Sequence, residues 1–130
     1  MKILVVDDDK GFLAVLTKIL SSKGYVVFSA EEGKQARELL DVEQFDLIIS
    51  DVYMPTLDGA WFHSYVREFS DIPEVPFVFT SAQDDDYTRN LIINPNMDFF
   101  IVKSLPPDGF VKKLESTLKK FEVGAVNVKR

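Results

Sequence analysis

Cysteine is absent from this chain of 130 residues, and histidine occurs only once. Without cysteine the chain has no disulfide framework and no cysteine-ligated zinc or iron–sulfur site. A lone histidine also argues against a metal site built from several histidines. Any metal ion that binds here is therefore expected to be held by oxygen.

Positive charge and long apolar runs are scarce as well. Fifteen Lys and Arg stand against 21 Asp and Glu, and the net charge of −6 disfavours general binding to nucleic acids or anionic membranes. The apolar start at 3–6 runs straight into three aspartates and is far too short for a signal peptide. We therefore expect a cytoplasmic protein, whose hydrophobic content of 46 % suits one compact domain.

Five short apolar segments predict buried β-strands. They lie at 3–6, 25–29, 47–49, 77–81 and 99–102. Unbroken apolar runs are typical of parallel strands that are buried on both faces, and no hairpin signal joins these segments. The pattern predicts a doubly wound α/β fold around a five-stranded parallel sheet.

Helical periodicity fills the intervals between these strands. The first expected helix is 10–23, which Asp9 caps and Gly24 ends, and the second is a short one that carries Ala36, Leu39 and Leu40. The third is 60–69, with Phe62, Val66 and Phe69 on its buried face. The fourth begins near Asp84–Asp86 and is cut short by Asn94-Pro95-Asn96, and the last runs from about 105–108 to Gly124. Residues 1–123 form the predicted domain, and 124–130 a C-terminal tail or truncated linker. Trp61 lies on another face of its helix, where it marks a partner site or is partly buried.

Polar side chains follow four of the predicted strands. Asp7 and Asp8 follow the first, Asp51 the third, Ser81 or Thr80 the fourth, and Lys103 the fifth. Because the carboxyl ends of parallel strands meet at one edge of a sheet, we expect these groups to share one crevice. Singly, each has an ordinary interpretation as a cap, a turn residue or a solvated lysine.

Together, these groups predict phosphoryl chemistry with a divalent cation. Two carboxylates about 5 Å apart repel each other by roughly 3 kcal/mol at an effective dielectric constant of about 20. Mg²⁺ removes that repulsion and suits oxygen ligands, and Mn²⁺ is acceptable. With a lysine and a hydroxyl nearby, the preferred substrate is a phosphoryl group, which Asp51 attacks to form an aspartyl phosphate.

At this point the sequence resembles a known family, the response-regulator receiver domains of two-component signalling. The resemblance spans residues 2 to about 122. It rests on Ile-Leu-Val-Val-Asp-Asp-Asp at 3–9, Asp-Leu-Ile-Ile-Ser-Asp-Val-Tyr-Met-Pro-Thr-Leu-Asp-Gly at 46–59, Pro-Phe-Val-Phe-Thr-Ser-Ala at 76–82, and Lys103. It implies a flavodoxin-like fold with strand order 2-1-3-4-5.

The resemblance also implies roles for single residues. Asp51 would accept a phosphoryl group from a histidine kinase or phosphotransfer protein. Mg²⁺ would be bound by Asp8 directly, by Asp7 mainly through water, by Asp51, and by the backbone carbonyl of Tyr53. Ser81 matches the switch hydroxyl better than Thr80, and Phe100 matches the aromatic switch. A downstream protein or an output domain would read the switch, and a homodimer is possible.

Three departures from the family pattern carry expectations of their own. Ser104 follows Lys103 where the family usually has a cis proline, so the bond between them is trans or strained. Pro95-Asn96-Met97 replaces a usual glycine-alanine pair, which puts the fourth helix in doubt. Phe100 has no hydroxyl, so the switch cannot use a hydrogen bond from it. Tyr53 and Gln83 flank the path of the water that hydrolyses the phospho-aspartate, and we predict slow turnover.

Two alternatives remain beside this prediction. One is a receiver-like interaction module that works without phosphorylation. The other is a phosphatase of the haloacid-dehalogenase type, which wants a second acid two residues after the nucleophile, where this chain has Tyr53. We expect only self-phosphorylation and autodephosphorylation, not an enzyme with an independent substrate. The chain is either a stand-alone receiver or a fragment of a longer regulator.

Overall fold

Strands and helices alternate along the chain in a computed structural model that describes residues 1–55 and 58–129, with side chains through Phe121. The strands are β1 Lys2–Val6, β2 Val26–Ala30, β3 Leu47–Asp51, β4 Phe77–Ser81 and β5 Asp98–Val102. The helices are α1 Lys10–Ser22, α2 Gly33–Val42, α3 Gly59–Phe69, α4 Asp86–Asn90 and α5 Pro107–Lys129. In the described part of the chain, no helix is long and apolar enough to cross a membrane.

The five strands form one parallel sheet in the order β2-β1-β3-β4-β5. The predicted α/β fold and its strand order are therefore confirmed. β2 and β3 pair with opposite edges of β1, so the sheet grows in two directions from its first strand. In such sheets the crevice at the carboxyl ends of the strands, next to this switch in direction, is the usual place for a ligand.

Two hydrophobic clusters cover the two faces of the sheet. Ile3 and Ile49 point to the face covered by α1 and α5, while Leu4 and Ile48 point to the face covered by α2 and α3. Neighbouring residues of a strand alternate between faces, and here both faces are covered. All five residues of β3 and of β4 are buried, which explains why these strands are continuous apolar runs in the sequence.

The local signals at the ends of α1 are confirmed. The Asp9 side chain accepts a hydrogen bond from the Phe12 backbone N–H at 3.1 Å, which caps the helix. Gly24 follows the helix with a φ of 92°, in the left-handed region that glycine enters without steric cost. The short fourth helix is confirmed too, although α4 already ends at Asn90, before the Asn94-Pro95 signal.

Two details of the predicted helices are wrong. α5 does not end at Gly124 but continues to Lys129, since one glycine costs a helix only about 1 kcal/mol. Phe69 does not lie on the buried face of α3, because it is the last residue of that helix and its ring packs on Tyr65 instead of the sheet. His63 joins Phe62 and Val66 on the buried face.

Candidate functional site

The strand register brings the predicted site residues to one edge of the sheet. Asp7 directly follows β1, Asp51 ends β3, Ser81 ends β4, and Lys103 directly follows β5. β3 pairs with β4 through Asp51 and Thr80, so these strands end level with each other. The Lys103 backbone N–H also donates to the Ser81 carbonyl at 2.9 Å. Strand ends that are far apart in sequence therefore become neighbours in space.

Three carboxylates lie together at this edge. Asp7, Asp8 and Asp51 each offer one oxygen, and the three oxygens lie within 4.8 Å of one another. Asp7 and Asp51 are buried, whereas Asp8 is exposed. Asp7 Oδ1 accepts a hydrogen bond from the Asp9 backbone N–H at 2.8 Å, but Asp7 Oδ2 is buried without a hydrogen bond of regular geometry.

Lys103 is the cation that faces this cluster. Its Nζ lies 2.8 Å from Asp7 Oδ2 and 3.6 Å from Asp51 Oδ2, and 4.8 Å from the centroid of the Phe12 ring. Burial lowers the pKa of Lys103, but the contact with Asp7 and the charges of Asp7 and Asp51 raise it more, so the net shift is upward. Lys103 is therefore an ammonium ion at neutral pH.

One ammonium group does not balance the negative charge of this cluster. Burial raises the pKa of Asp51, the neighbouring Asp7 raises it further, and Lys103 lowers it in part, which leaves a pKa of about 6. Burial also raises the pKa of Asp7. Three carboxylates against one ammonium group make this donor set a good fit for a hard divalent cation.

A cavity of about 470 Å³ opens above Asp51. The residues that line it lie at the carboxyl ends of β3, β4 and β5 and in the loops that follow these strands. They are Asp51, Tyr53, Ser81, Ala82, Gln83, Asp85 and Lys103. Ser81 faces this space, and its Oγ accepts a hydrogen bond from the Gln83 backbone N–H at 3.3 Å. Thr80 is completely buried, and its hydroxyl has no hydrogen-bond partner among the described residues. The structure therefore places Ser81 rather than Thr80 at the cavity.

Tyr53 forms one wall of the cavity and is tied to α4. Its hydroxyl donates to Asp85 Oδ2 at 2.6 Å, and its ring lies 5.9 Å from the ring of Tyr87. Asp85 also caps α4, because its other carboxylate oxygen accepts from the Thr88 backbone N–H at 2.8 Å. The sequence indicated that a helix begins near Asp84–Asp86 but gave no signal for the bond to Tyr53, which lies 32 positions from Asp85.

Two further predicted features lie beside the cavity. Phe100 pairs with Phe79 across β4 and β5 and packs, partly buried, against the cluster under α2 and α3. It does not line the cavity. No cis peptide bond occurs among the described residues, so the bond between Lys103 and Ser104 is trans.

A second charged cluster, which the sequence did not predict, lies at the opposite end of β5. Asp98 Oδ1 is 2.8 Å from His63 Nε2 and accepts from Arg67 Nη2 at 2.6 Å. Asp98 Oδ2 accepts from the backbone N–H groups of Ile93 and Asn94. These hydrogen bonds to the Asp98 carboxylate hold the loop between α4 and β5 to α3.

Comparisons with known proteins agree with this geometry. The profile of the response regulator receiver domain matches residues 3–115. The alkaline phosphatase synthesis transcriptional regulatory protein PhoP of Bacillus subtilis is 29 % identical over 124 residues, which are 95 % of this chain and 51 % of that protein. The probable transcriptional regulator ycf27 of Cyanophora paradoxa is 33 % identical over 121 residues, 93 % of this chain and 49 % of that protein.

A solved structure shows the same fold. The chemotaxis protein CheY4 of Vibrio cholerae superposes with a TM-score of 0.81 at 28 % identity, over 89 % of this chain and 97 % of that one. The chain thus matches CheY4 over nearly its whole length but spans about half the length of the curated relatives. On its sequence profile and its fold, the chain belongs to the response regulator receiver domains of two-component systems.

Proposed function

We propose that the chain accepts a phosphoryl group on Asp51 from the phosphohistidine of a kinase or phosphotransfer protein. The observation that carries this proposal is the position of Asp51, which lies at the floor of an open cavity with Lys103 Nζ 3.6 Å from its Oδ2. Its pKa of about 6 leaves it mostly ionised at pH 7, as a nucleophile must be. The charge of Lys103 favours the approach of the phosphoryl oxygens.

The transfer needs no other nucleophile. A carboxylate oxygen of Asp51 attacks the phosphorus and forms the new O–P bond while the N–P bond of the phosphohistidine breaks. The electron pair of that bond leaves with the imidazole of the donor. Lys103 keeps its proton throughout and balances charge on the transferring oxygens.

Mg²⁺ is the cofactor that suits this site, and Mn²⁺ would substitute for it. Asp8 and Asp51 would bind the ion directly, Asp7 mainly through water, and the backbone carbonyl of Tyr53 would complete the protein ligands. When bound, the ion supplies positive charge for the transferring phosphoryl oxygens. The three carboxylate oxygens within 4.8 Å of one another support this assignment.

Phosphorylation would then shift the chain between two packings. A phosphoryl group adds about −1.5 to −2 charge and three acceptor oxygens. Ser81, whose Oγ faces the cavity, would donate a hydrogen bond to one of them, and Phe100 would turn into the space that Ser81 leaves. Phe100 changes position through packing alone, because it has no hydroxyl. The altered face of β4, β5, α4 and α5 would be read by a downstream protein or an output domain.

The names of the curated relatives bear on that output. PhoP and ycf27 are described as transcriptional regulators, and this chain matches about half of each. We therefore propose that it signals either to an attached output domain or to a separate protein. A cytoplasmic location follows from the same proposal. Homodimer formation through α4 and α5 is a further possibility for the phosphorylated form.

The side chains at the cavity rim set how long the phosphoryl group persists. We predict that Tyr53→Asn shortens the lifetime of phospho-Asp51 several-fold, since the ring of Tyr53 restricts access of water. Tyr53→Phe keeps the ring but breaks the bond to Asp85, so it should have the smaller effect. Decay is followed by intact mass after removal of the phosphodonor. An unchanged or longer lifetime in Tyr53→Asn would rule out the shielding role.

Gln83 lines the same cavity, and Gln83→Ala tests whether it orients the water.

Incubation with Mg²⁺ and acetyl phosphate, followed by intact mass, tests the proposed function. We expect the mass to rise by one phosphoryl group in the parent protein and to stay unchanged in Asp51→Asn. Lys103→Ala should react more slowly at equal Mg²⁺. If no adduct forms, and beryllofluoride leaves the amide spectrum unchanged, the chain is instead a receiver-like module that works without phosphorylation.

A further inference from the structure

Three aromatic rings form a row along the outer side of α3. Trp61 stacks on Tyr65 with ring centroids 5.7 Å apart, and Tyr65 lies 6.1 Å from Phe69. We call these three residues the aromatic row. Trp61 is 36 % exposed and Phe69 73 % exposed, and no ring of the row belongs to either core cluster. Tyr65 between them is half-buried. Packing of the sheet therefore does not require these rings, and adjacent aromatic rings at a surface are typical of a contact site.

The row lies in an acidic part of the chain. Residues 31–74, which include α2 and α3, contain eleven Asp and Glu against three Lys and Arg, a net charge of −8. The whole chain carries −6, so the remainder is slightly positive. A concentrated negative potential attracts a positively charged partner and repels nucleic acids and acidic proteins.

One cation of the chain already occupies this surface. The guanidinium carbon of Arg37, on α2, lies 5.3 Å from the centroid of the Tyr65 ring. Arg37 is exposed, so core packing does not force this contact. A guanidinium group is planar and weakly hydrated, and it stacks on aromatic rings more readily than an ammonium group does.

We propose that the aromatic row is a docking surface for an arginine-rich segment of another protein. Its rings would receive the guanidinium groups, and the net negative charge of residues 31–74 would attract the segment. A second copy of this chain is a poor occupant, because each described arginine is engaged within its own chain. Arg37 lies on Tyr65, Arg67 bonds to Asp98, and Arg89 bonds to Asp84. The surface is separate from the cavity at Asp51, so this proposal does not depend on phosphorylation.

The single tryptophan of the chain reports binding directly, since Trp61 is part of the row. The probes are a short peptide of alternating Arg and Ser and the same peptide with Lys in place of Arg, titrated at physiological salt. We expect a saturable change of Trp61 fluorescence with the Arg peptide and an affinity about threefold or more above that of the Lys peptide. Equal affinity for both peptides would overturn the proposal, because it would mean attraction by charge alone.

Variants that leave the charge unchanged distinguish binding by the aromatic row from attraction by the surrounding charge. Tyr65→Ser with Phe69→Ser should weaken binding of the Arg peptide about tenfold while Trp61 still reports it. Val42→Ser is the matched control, since Val42 is 75 % exposed in the same acidic region and should not matter. Unchanged affinity in the double variant, or an equal loss in the control, would overturn the proposal. Phe69→Ser alone serves if the double variant does not fold.

Arg37 provides a test in the opposite direction. Arg37→Gln removes the resident guanidinium from Tyr65, so it should strengthen binding of the Arg peptide more than that of the Lys peptide. Arg89→Gln is the control of equal charge, because Arg89 lies in the last turn of α4 and pairs with Asp84. Sedimentation of the unliganded protein tests whether a second copy of the chain occupies the row. If the parent protein is a dimer and the variant with Tyr65→Ser and Phe69→Ser is a monomer, the row binds a second copy of the chain and the proposal is wrong.

Discussion

Asp98 shows how one buried carboxylate is stabilised far from the site at Asp51. Burial raises the pKa of Asp98, but hydrogen bonds from His63, Arg67 and the Asn94 backbone lower it more, which leaves a pKa of about 2. Arg67 also donates to the carbonyls of Pro73, Val75 and Met97. Arg67 and Asp98 together therefore link α3 to the loop before β4 and to the loop before β5. The ionised Asp98 carboxylate is stabilised by hydrogen bonds that the unfolded chain lacks.

The depressed pKa of Asp98 predicts a loss of stability in acid. An aspartate whose pKa falls from about 3.9 unfolded to about 2 folded contributes roughly 2.5 kcal/mol above pH 4, and this contribution is lost as the pH falls towards 2. Asp98→Asn should therefore lower the free energy of unfolding at pH 7 by about 3 kcal/mol and flatten its dependence on pH below 4. Urea unfolding at several pH values measures both effects.

Asp84→Asn is the matched control for that prediction. Asp84 pairs with Arg89 on the exposed start of α4, where water screens the pair. Its removal should change the free energy of unfolding little at any pH. Equal effects of the two substitutions would show that the network around Asp98 does not stabilise the fold.

At the scale of an element, α3 begins against the backbone of the site. The Gly59 N–H donates to the Val52 carbonyl at 2.9 Å, and Asp58 caps the helix by accepting from the Trp61 N–H at 2.9 Å. A Cβ at position 59 would lie 2.2 Å from the carbonyl oxygen of Asp51. Only glycine allows the first turn of α3 to come this close to the strand that carries Asp51.

Substitution of Gly59 should therefore affect stability and the site together. Gly59→Ala must push α3 away from β3, with an expected loss of about 1–3 kcal/mol in the free energy of unfolding and slower phosphorylation by acetyl phosphate. Urea unfolding and intact mass measure the two effects. Gly109→Ala in α5 is the control, since the nearest atom would be 3.8 Å from the new Cβ and the change should be neutral or stabilising. A parent-like Gly59→Ala protein would contradict the close approach.

At the scale of the whole molecule, the ionised Asp51 carboxylate lowers the free energy of unfolding. The pKa of Asp51 rises to about 6 in the folded chain, so folding is most favourable while this carboxyl is protonated. The favourable contribution is present below about pH 4 and is lost as the pH rises through 6. At pH 7 the folded chain therefore holds buried carboxylate charge that Lys103 balances only in part.

Removal of that charge should stabilise the protein without metal. In buffer containing EDTA at pH 7, Asp51→Asn is expected to raise the free energy of unfolding by up to about 3 kcal/mol, and the gain should vanish near pH 4. Mg²⁺ at one hundred times its dissociation constant should stabilise the parent by about 2.7 kcal/mol and Asp51→Asn by less. Thermal unfolding with and without Mg²⁺ measures both. An Asp51→Asn protein less stable than the parent at pH 7 would contradict this account of the cluster.

Sequence by itself determined the features that depend on near neighbours. The apolar runs at 3–6 and 47–49 predicted strands, and the strand order that the family resemblance implied is the one observed. Asp9 and Gly24 marked the ends of α1, because a cap or a left-handed glycine acts within one helical turn. Residues after the strands were predicted to meet because parallel strands share one carboxyl edge.

Tertiary structure alone decided the contacts that join distant parts of the chain. The pairing of His63 with Asp98 spans 35 positions and that of Tyr53 with Asp85 spans 32, so no local pattern reveals either. Periodicity placed Phe69 on the buried face of α3, but the helix ends there and the ring packs on Tyr65. Side-chain periodicity fixes which way a residue points, whereas the packing of neighbouring elements decides whether anything covers it.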